Sequence, residues 1–261
     1  MHPIIFITGP TATGKTELSF VLAKHLNAQI ISCDSMLIYK EPRIITSKPS
    51  AYILKEIPHY FVNIISVKDS YNVFDYYREA LQIVKNLFQK NTLHIVCGGS
   101  GLYIKAILDG IFEGASKDEN LRKDLLKKAE KKGRNSLFEE LKRVDPQTAT
   151  RVSPRDLRRI IRALEVYYLT GVPISIKKTE REGLYGKYPI RIFGLRLSRT
   201  TLYEKINERV EEMFKEGAVD EVQKLLKLDL SITARKIIGI KEIEDFPGRR
   251  DGDGEYGHDR V

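Results

Sequence analysis

The stretch Met1–Leu26, MHPIIFITGPTATGKTELSFVLAKHL, decides the fold. The apolar run at residues 4–7 is rich in β-branched side chains, which is typical of a buried parallel strand. Residues 9–16, GPTATGKT, match the phosphate-binding pattern G-x-x-x-x-G-K-[ST]. Apolar residues at helical spacing follow as far as Leu26. A strand, a glycine-bounded loop and a helix in this order predict a P-loop. A chance turn between two core elements is the alternative.

The residues of this loop suit a polyphosphate ligand. Glycine at both ends lets the backbone N–H groups approach phosphate closely, and the start of the helix adds unpaired amides and a positive dipole end. Lys15 supplies a positive charge, and the Thr16 hydroxyl suits Mg²⁺. The candidate phosphate-binding residues are Gly9, Pro10, Thr11, Ala12, Thr13, Gly14, Lys15 and Thr16.

Further strand–helix alternation predicts an open parallel sheet. Strands are expected at 28–34, 92–97 and 190–197, and a Gly-Gly-Ser-Gly turn at 98–101 leads into a helix. Asp34 ends the strand expected at 28–34, and ligands of open α/β sheets bind at the carboxyl ends of strands. Asp34 is therefore a candidate functional carboxylate, with a turn or cap residue as the alternative.

The middle of the chain changes to helical periodicity with many charges. The pattern predicts a helix from Pro154 to Thr170 with Ser153 as its N-cap and Gly171 as its terminator. At 100° per residue, the arginines at 155, 158, 159 and 162 share one arc, opposite an apolar face. Guanidinium groups bind phosphate in a bidentate manner, so this arc predicts a phosphate or RNA contact. A solvated charged face is the alternative.

The predicted fold class is therefore α/β, with a P-loop NTPase-like parallel sheet flanked by helices and a mostly helical insertion domain. The expected divisions are the first part of the core at 1–116, the insertion at 117–180, the second part of the core at 181–246 and an atypical tail at 247–261. The tail has little apolar content and is expected to be disordered.

Composition narrows the class of partner. No apolar run approaches the roughly 20 residues of a membrane span, so no membrane partner is expected. Two cysteines do not imply a disulfide framework, which favours a reducing, cytoplasmic setting. The net charge of +9 suits a polyanion such as nucleic acid, although a solvated surface rich in Lys and Arg gives the same number.

These segments, taken in order, resemble the tRNA dimethylallyltransferases, also called tRNA isopentenyl-pyrophosphate transferases. The resemblance covers roughly residues 4–246, and its long middle motif is more specific than the P-loop. The matching stretches are GPTATGKT at 9–16, ISCDSMLIY at 31–39, YNVFDYYREAL at 71–81, GGSGLYIKAIL at 98–108, DPQTATRVSPRDLRRIIRALEVYYLTG at 145–171 and RTTLYEKINERVEEMFKEG at 199–217.

The resemblance implies transfer of a dimethylallyl group from dimethylallyl pyrophosphate to N6 of the adenine 3′ of the anticodon in tRNA. It implies that Lys15, Thr16-bound Mg²⁺ and Arg209 act on the pyrophosphate held by the P-loop, and that Asp34 is the base. Arg209 could instead be an ordinary surface residue. The tRNA-contacting residues implied by the family are Asp34, Ser35, Met36, Leu37, Ser100, Arg122, Arg158, Arg159, Ile160, Ile161 and Arg162. The expected protein is a cytoplasmic monomer.

The sequence departs from the family pattern in three places. Ser100 replaces the usual threonine, residues 40–49 lack the glycine-bearing form of this loop, and the chain ends in PGRRDGDGEYGHDRV where the family continues with helix and a basic segment. A shifted reading frame is one hypothesis for this ending. Two other functions stay open: a P-loop kinase, which leaves the arginine motif unexplained, and a non-catalytic RNA-binding relative, which leaves Asp34, Lys15 and Thr16 unexplained.

Overall fold

The computed structural model describes residues 2–112 and 118–245. The described residues divide into two compact units, the first from the ranges 1–105 and 186–261 and the second from the range 106–185. The insertion expected at 117–180 falls within the second unit, and the boundaries expected from the sequence stay a prediction. The tail expected at 247–261 lies outside the described residues.

The first unit is built on a parallel five-stranded sheet in the order β3-β2-β4-β1-β5. The strands are β1 Ile4–Thr8, β2 Gln29–Ser32, β3 His59–Tyr60, β4 His94–Gly98 and β5 Ile190–Gly194. This sheet and its flanking helices confirm the predicted α/β class. In the register of the sheet, Thr8 at the end of β1 lies between Gly98 and Gly194, so the loops after three strands leave from one edge.

Helices connect the strands and form most of the second unit. In chain order they are α1 Lys15–Leu26, α2 Ala51–Glu56, α3 Val73–Gln89, α4 Gly101–Asp109, α5 Glu119–Lys132, α6 Arg134–Val144, α7 Pro146–Ala149, α8 Leu157–Thr170, α9 Ile174–Lys177, α10 Arg199–Lys215, α11 Ala218–Leu226 and α12 Ile240–Glu244.

The apolar core of the first unit fixes the helix that follows the P-loop. Ile7, Ile30 and Ile95 of three adjacent strands are buried in one cluster, against which Leu18 and Leu22 of α1 pack. Burying a side chain of this size stabilises the fold by about 1.5–3 kcal/mol. The helix that follows the loop is therefore fixed on the sheet by its apolar face.

Two strands are shorter than the sequence predicts. The second predicted strand, 28–34, ends at Ser32, so Asp34 lies two residues beyond β2. The strand predicted at 190–197 ends at Gly194, and the Leu195 amide still donates to the Thr8 carbonyl at 2.7 Å. The short strand β3, which pairs with β2, was not expected from the sequence because two residues carry no period.

The core of the second unit is an apolar cluster shared by α5, α6 and α8. Its members include Leu125 of α5, Leu137 and Leu141 of α6, and Ile160 and Leu164 of α8. The arginine-bearing helix is therefore anchored by its apolar side, as the helical periodicity predicts.

The predicted start of this helix is wrong. α8 begins at Leu157, and its N-cap is Asp156, whose carboxylate accepts from the Arg159 amide at 3.1 Å. Ser153 instead forms a turn, in which its carbonyl accepts from the Asp156 amide at 2.9 Å. This turn holds Asp156 at the N-cap position, where its carboxylate caps the helix. The C-terminal prediction is confirmed, because Gly171 has a left-handed conformation with φ of 70°.

Candidate active site

The loop between β1 and α1 has the backbone that its glycines predict. Gly9 has a φ of 154°, and a Cβ there would lie 2.6 Å from the Leu195 carbonyl oxygen, so a side chain does not fit. Gly14 has a left-handed φ of 82° and stands as the N-cap of α1 without a side chain to bond the first amides. Thr13 Oγ1 donates to the Pro10 carbonyl at 2.9 Å and closes the loop. The amides that begin α1 are therefore placed as an anion site.

Lys15 lies over this loop within a cluster of charges. Its Nζ donates to the Pro10 carbonyl at 2.5 Å. Burial has the largest effect on Lys15 and lowers its pKa from the ordinary value of 10.5, with Arg209 adding to the lowering while Cys97 and Asp34 oppose it. The opposite effects of Asp34 and Arg209 on this pKa show that Lys15 interacts electrostatically with both residues.

Asp34 is the second residue of the loop after β2. Its Oδ1 accepts from the Met36 amide at 2.8 Å, which fixes one carboxylate oxygen in a local turn. The alternative interpretation as a turn carboxylate is therefore correct for Oδ1. The same residue also interacts electrostatically with Lys15 and Arg209, so Asp34 belongs to the charge cluster at the P-loop.

The Gly-Gly-Ser-Gly turn after β4 supports the loop that carries Asp34. Ser100 Oγ accepts from the Ser35 amide at 3.1 Å, and the Ser100 amide donates to the Cys33 carbonyl at 3.2 Å. A Cβ on Gly98 would lie 2.1 Å from the Cys33 carbonyl oxygen. The close backbone approach that glycine permits here therefore sets the position of the residues around Asp34.

The same turn also adjoins the P-loop. A Cβ on Gly99 would lie 3.1 Å from the Gly9 carbonyl oxygen and 3.8 Å from Lys15 Nζ. The two glycine-rich junctions, which are about 90 residues apart in sequence, thus meet at one edge of the sheet.

Arg209 reaches the P-loop from α10. Its Nη1 donates to Thr11 Oγ1 at 2.9 Å, and its Nε donates to Ser47 Oγ at 2.7 Å. Burial lowers the pKa of Arg209 from its ordinary value, and the neighbouring Asp34 opposes this effect. Sequence reasoning missed Ser47, because nothing in the pattern around it marks a partner 162 residues away.

The oxygen donors at this site could coordinate a magnesium ion whose remaining ligands are water and substrate. Thr16 follows Lys15 at the start of α1 and offers one hydroxyl. Across residues 2–112 and 118–245, no group of three or more His, Cys, Asp or Glu side chains could hold a metal. Mg²⁺ commonly keeps several waters and takes its other ligands from substrate phosphates. A single threonine hydroxyl is compatible with that mode of binding, and Thr16 as the magnesium ligand stays a prediction.

The expected tRNA-binding residues of the second unit differ in their exposure and partners. The side chains of Ile160 and Ile161 are buried in the apolar core and support the helix, and a tRNA contact at these positions stays a prediction. Arg158 is exposed, and Arg159 is also exposed while pairing with Asp156 at 3.3 Å.

Arg122 and Arg162 are brought together by a carboxylate that the sequence reasoning missed. Arg122 donates to both oxygens of Glu165, from Nε at 2.7 Å and from Nη2 at 2.8 Å. Arg162 Nη1 donates to the same carboxylate at 2.6 Å. The spacing of Arg162 and Glu165, three residues apart on a helix, is a signal that could have predicted the second of these pairs.

The fold and the site together define an α/β protein with a P-loop, to which Arg209 bonds through Thr11. The sequence model of the family described as IPP transferase matches residues 37–256. The chain belongs to the IPP transferase family.

Known relatives resemble the chain over most of its length. It is 41% identical to a tRNA dimethylallyltransferase of Natranaerobius thermophilus over 249 residues, covering 94% of this chain and 74% of the relative. It is 43% identical to a tRNA dimethylallyltransferase of Thermosipho melanesiensis over 238 residues, covering 91% of this chain and 78% of the relative.

Solved structures show the same likeness. A full-length tRNA isopentenylpyrophosphate transferase from Bacillus halodurans matches with a TM-score of 0.64 and 34% identity, covering 94% of this chain and 77% of that one. A eukaryotic dimethylallyltransferase acting on tRNA matches with a TM-score of 0.73 and 27% identity, covering 87% of this chain and 56% of that one.

Proposed function

We propose that this protein transfers a dimethylallyl group from dimethylallyl pyrophosphate to N6 of the adenine 3′-adjacent to the anticodon in tRNA and releases pyrophosphate. The observation that carries the proposal is the meeting of three groups at one edge of the sheet: the P-loop with Lys15, the loop that carries Asp34, and Arg209. These groups match the needs of a reaction with a diphosphate leaving group and an amine nucleophile.

The P-loop provides for the leaving group. As the bond between the allylic carbon and the pyrophosphate oxygen breaks, negative charge grows on the pyrophosphate. The amides at the start of α1, the Lys15 ammonium and the Arg209 guanidinium are donors fixed in advance for that charge. Thr16 would hold Mg²⁺, which when bound neutralises part of the charge on the diphosphate oxygens.

Asp34 provides for the nucleophile. The N6 amine of adenine forms a bond to the allylic carbon and must lose one proton, which the Asp34 carboxylate accepts. The bond from the Met36 amide holds Oδ1 at 2.8 Å and orients the carboxylate. An aromatic amine is a weak nucleophile, so alignment of N6 with the carbon contributes as much as removal of the proton.

The proposed tRNA contacts lie in both units. Residues 34–37 and Ser100 border the P-loop, while Arg122, Arg158, Arg159 and Arg162 offer guanidinium groups in the second unit. A stacked base must leave its stack to be modified, so we include extraction of the adenine from the anticodon loop in the proposal. A net charge of +9 favours this polyanionic substrate.

The cellular setting and assembly form part of the same proposal. No helix within the described ranges is long and apolar enough to span a membrane. We propose a cytoplasmic monomer that meets tRNA without a membrane partner.

Transfer of label tests the function directly. The full chain is incubated with dimethylallyl pyrophosphate labelled in the dimethylallyl group, MgCl₂ and tRNA, and the modified base is located by nuclease digestion and mass spectrometry. Label on N6 of the adenine beside the anticodon is the expected result. Binding of tRNA without label favours the non-catalytic RNA-binding relative, and phosphoryl transfer from ATP without prenyl transfer favours the kinase.

A further inference from the structure

The guanidinium of Arg209 is held by two hydroxyl groups from distant parts of the chain. Thr11 belongs to the P-loop, and its Oγ1 accepts from Nη1 at 2.9 Å. Ser47 lies in the segment before α2, and its Oγ accepts from Nε at 2.7 Å. Two bonds to different nitrogens fix both the position and the rotation of the guanidinium plane. They use two of its five N–H donors, so others can face phosphate oxygens.

The segment that carries Ser47 is folded around one carboxylate. Glu221 of α11 accepts from three consecutive amides, those of Arg43 at 2.7 Å, Ile44 at 2.9 Å and Ile45 at 3.0 Å. A carboxylate that accepts several backbone N–H bonds makes charge-assisted bonds, which are stronger than neutral ones. Glu221 therefore fixes residues 43–45 although the sequence there has no regular period.

The turn held by Glu221 sets the position of Ser47. The Ser47 amide donates to the Ile44 carbonyl at 2.9 Å, and the Lys48 amide donates to the Arg43 carbonyl at 3.2 Å. Ser47 itself has a left-handed φ of 47°. Its hydroxyl is thus aimed by the backbone that Glu221 holds.

The far end of the segment is closed by a second charged group. Lys48 Nζ donates to the carbonyls of Tyr39 at 2.5 Å and Lys40 at 2.8 Å. The segment is consequently tied at both ends, by Glu221 at residues 43–45 and by Lys48 to the backbone that follows the Asp34 loop. Ser47 lies between these two anchors.

We propose that Ser47 is a positioning residue for Arg209, and that Glu221 acts on Arg209 through the turn at residues 43–47. Together they set the affinity of the P-loop for pyrophosphate. The inference rests on the proposed function, in which Arg209 binds the pyrophosphate of the substrate and product. Without the Ser47 hydroxyl, the Thr11 bond is the one that remains of these two, and the guanidinium plane is free to rotate about it.

A double-mutant cycle tests the role of Ser47. Inorganic pyrophosphate with MgCl₂ is titrated calorimetrically into the full chain and into Ser47→Ala, Arg209→Ala and the double variant. Ser47→Ala is expected to weaken binding about three- to tenfold, the effect of one hydrogen bond. The same substitution is expected to have no further effect in the Arg209→Ala background, because its effect passes through Arg209.

Two results of this cycle would overturn the inference. One is a Ser47→Ala variant that binds pyrophosphate as tightly as the unmodified chain. The other is a loss of the same size in both backgrounds, which would mean that Ser47 acts independently of Arg209.

Glu221 is tested against a neighbour on the same helix. Glu221→Gln removes the charge and turns an amide N–H₂ group toward backbone N–H groups, and is expected to weaken pyrophosphate binding about three- to tenfold. Asp220→Asn removes the same charge one residue earlier and is the matched control, with a change of less than about twofold. Equal losses in both variants would assign the effect to net charge and overturn the role of Glu221. Thermal unfolding of both variants shows whether each remains folded.

Kinetic constants distinguish a specific effect of Ser47 on the pyrophosphate site from a general loss of active structure. In the transfer assay, Ser47→Ala is expected to raise KM for dimethylallyl pyrophosphate while KM for tRNA stays unchanged. A rise in both, or in KM for tRNA alone, contradicts the inference.

The failure of this inference differs from failure of the proposed function. Pyrophosphate binding is measured without the transfer reaction. An unmodified chain that binds pyrophosphate but transfers no label overturns the proposed function, and the double-mutant cycle can still be interpreted. An unmodified chain that binds no pyrophosphate overturns both.

Discussion

Arg122 grips Glu165 through two parallel hydrogen bonds, from Nε to Oε1 at 2.7 Å and from Nη2 to Oε2 at 2.8 Å, and the Glu165 side chain is fully buried. Arg162 adds a third bond at 2.6 Å, and the Asp118 amide adds a fourth at 2.9 Å. One carboxylate thus joins the start of α5 to α8 and orients two arginines that the family resemblance assigns to tRNA. Glu165 neutralises part of the positive charge of these two arginines. Their contribution to an RNA site would therefore depend on the fixed orientation of their guanidinium groups as much as on their charge.

Glu165→Gln is expected to destabilise the second unit by about 3 kcal/mol, because removing one partner of a buried ion pair leaves charges without compensation. Urea unfolding followed by circular dichroism measures the loss. Glu139→Gln is the matched control, since Glu139 forms an exposed pair with Lys142 at 2.8 Å and such pairs contribute less than about 1 kcal/mol. Equal midpoints for the two variants would contradict the importance of the buried cluster.

Acid should act on the same carboxylate. Burial by itself raises the pKa of Glu165, but the bonds from Arg122, Arg162 and the Asp118 amide outweigh it and hold this pKa below the ordinary value of 4.5. A carboxylate with a lowered folded pKa stabilises the protein fully above its unfolded pKa, and this contribution disappears as the pH falls through the folded pKa. The difference in stability between the unmodified chain and Glu165→Gln is therefore expected to be constant at neutral pH and to shrink below about pH 4.5. Unfolding midpoints of both proteins across this range check it, and a difference that persists at the lowest pH contradicts it.

Local patterns predicted the parts of the site that are continuous in sequence. The P-loop needs only eight residues with a strand before and a helix after, and the structure has both. The apolar face of α8 follows from its period, and Gly171 ends the helix as expected. The start of α8 was misplaced because Ser153 and Asp156 both have capping side chains, and the turn between them decides which one caps.

Contacts between distant segments could not be predicted in the same way. Glu165 shares a helix with Arg162, but its stronger partner, Arg122, lies 43 residues away. Glu221 accepts from amides about 177 residues earlier, and a backbone N–H leaves no mark in the sequence. Such contacts depend on the tertiary fold, so sequence period and propensity do not contain them.

Arg158→Ala is expected to weaken tRNA binding by about 1 kcal/mol and to reduce the slope of log affinity against log salt by about 1, as loss of one phosphate contact does. Its side chain is exposed, so thermal stability should stay unchanged. Filter binding or gel shift at several salt concentrations measures the slope.

Two further arginines make this measurement specific. Arg143→Ala removes an exposed arginine of α6 and controls for net charge. Arg162→Ala should lower both tRNA affinity and stability, because Arg162 also pairs with buried Glu165. Equal effects of Arg158→Ala and Arg143→Ala on the slope would favour a solvated charged face over an RNA contact.

Gly98→Ala is expected to reduce both stability and transfer, because the new Cβ would lie 2.1 Å from the Cys33 carbonyl oxygen and 2.4 Å from the Cys33 carbonyl carbon. Backbone cannot move aside as a flexible side chain can, so the strand end that leads to Asp34 must shift. Overpacking of this kind costs about 1–3 kcal/mol. A shift of about 1 Å in a reacting group can lower turnover about a hundredfold.

Gly101→Ala is the matched control in the same turn. A Cβ there meets nothing within 4 Å, and Gly101 is the first residue of α4, where alanine is the better helix former. Thermal unfolding and the transfer assay are run on both variants. If Gly101→Ala were as damaging as Gly98→Ala, the turn would need glycine for a reason other than the close approach to Cys33.

Asp34→Asn is expected to lower transfer by about 10²–10⁴-fold, the usual contribution of a general base, while tRNA affinity falls little. The substitution keeps an oxygen that can accept from the Met36 amide, as Oδ1 does now at 2.8 Å, so the loop should keep its conformation. Single-turnover transfer of label measures the chemical step, and gel shift measures binding of tRNA. Asp69→Asn is the control, because Asp69 is also a loop carboxylate that accepts a backbone N–H, from Ser66 at 3.3 Å. If Asp34→Asn transferred label at the unmodified rate, N6 would lose its proton to another group, and Asp34 would be left with the structural role that its bond to Met36 already gives it.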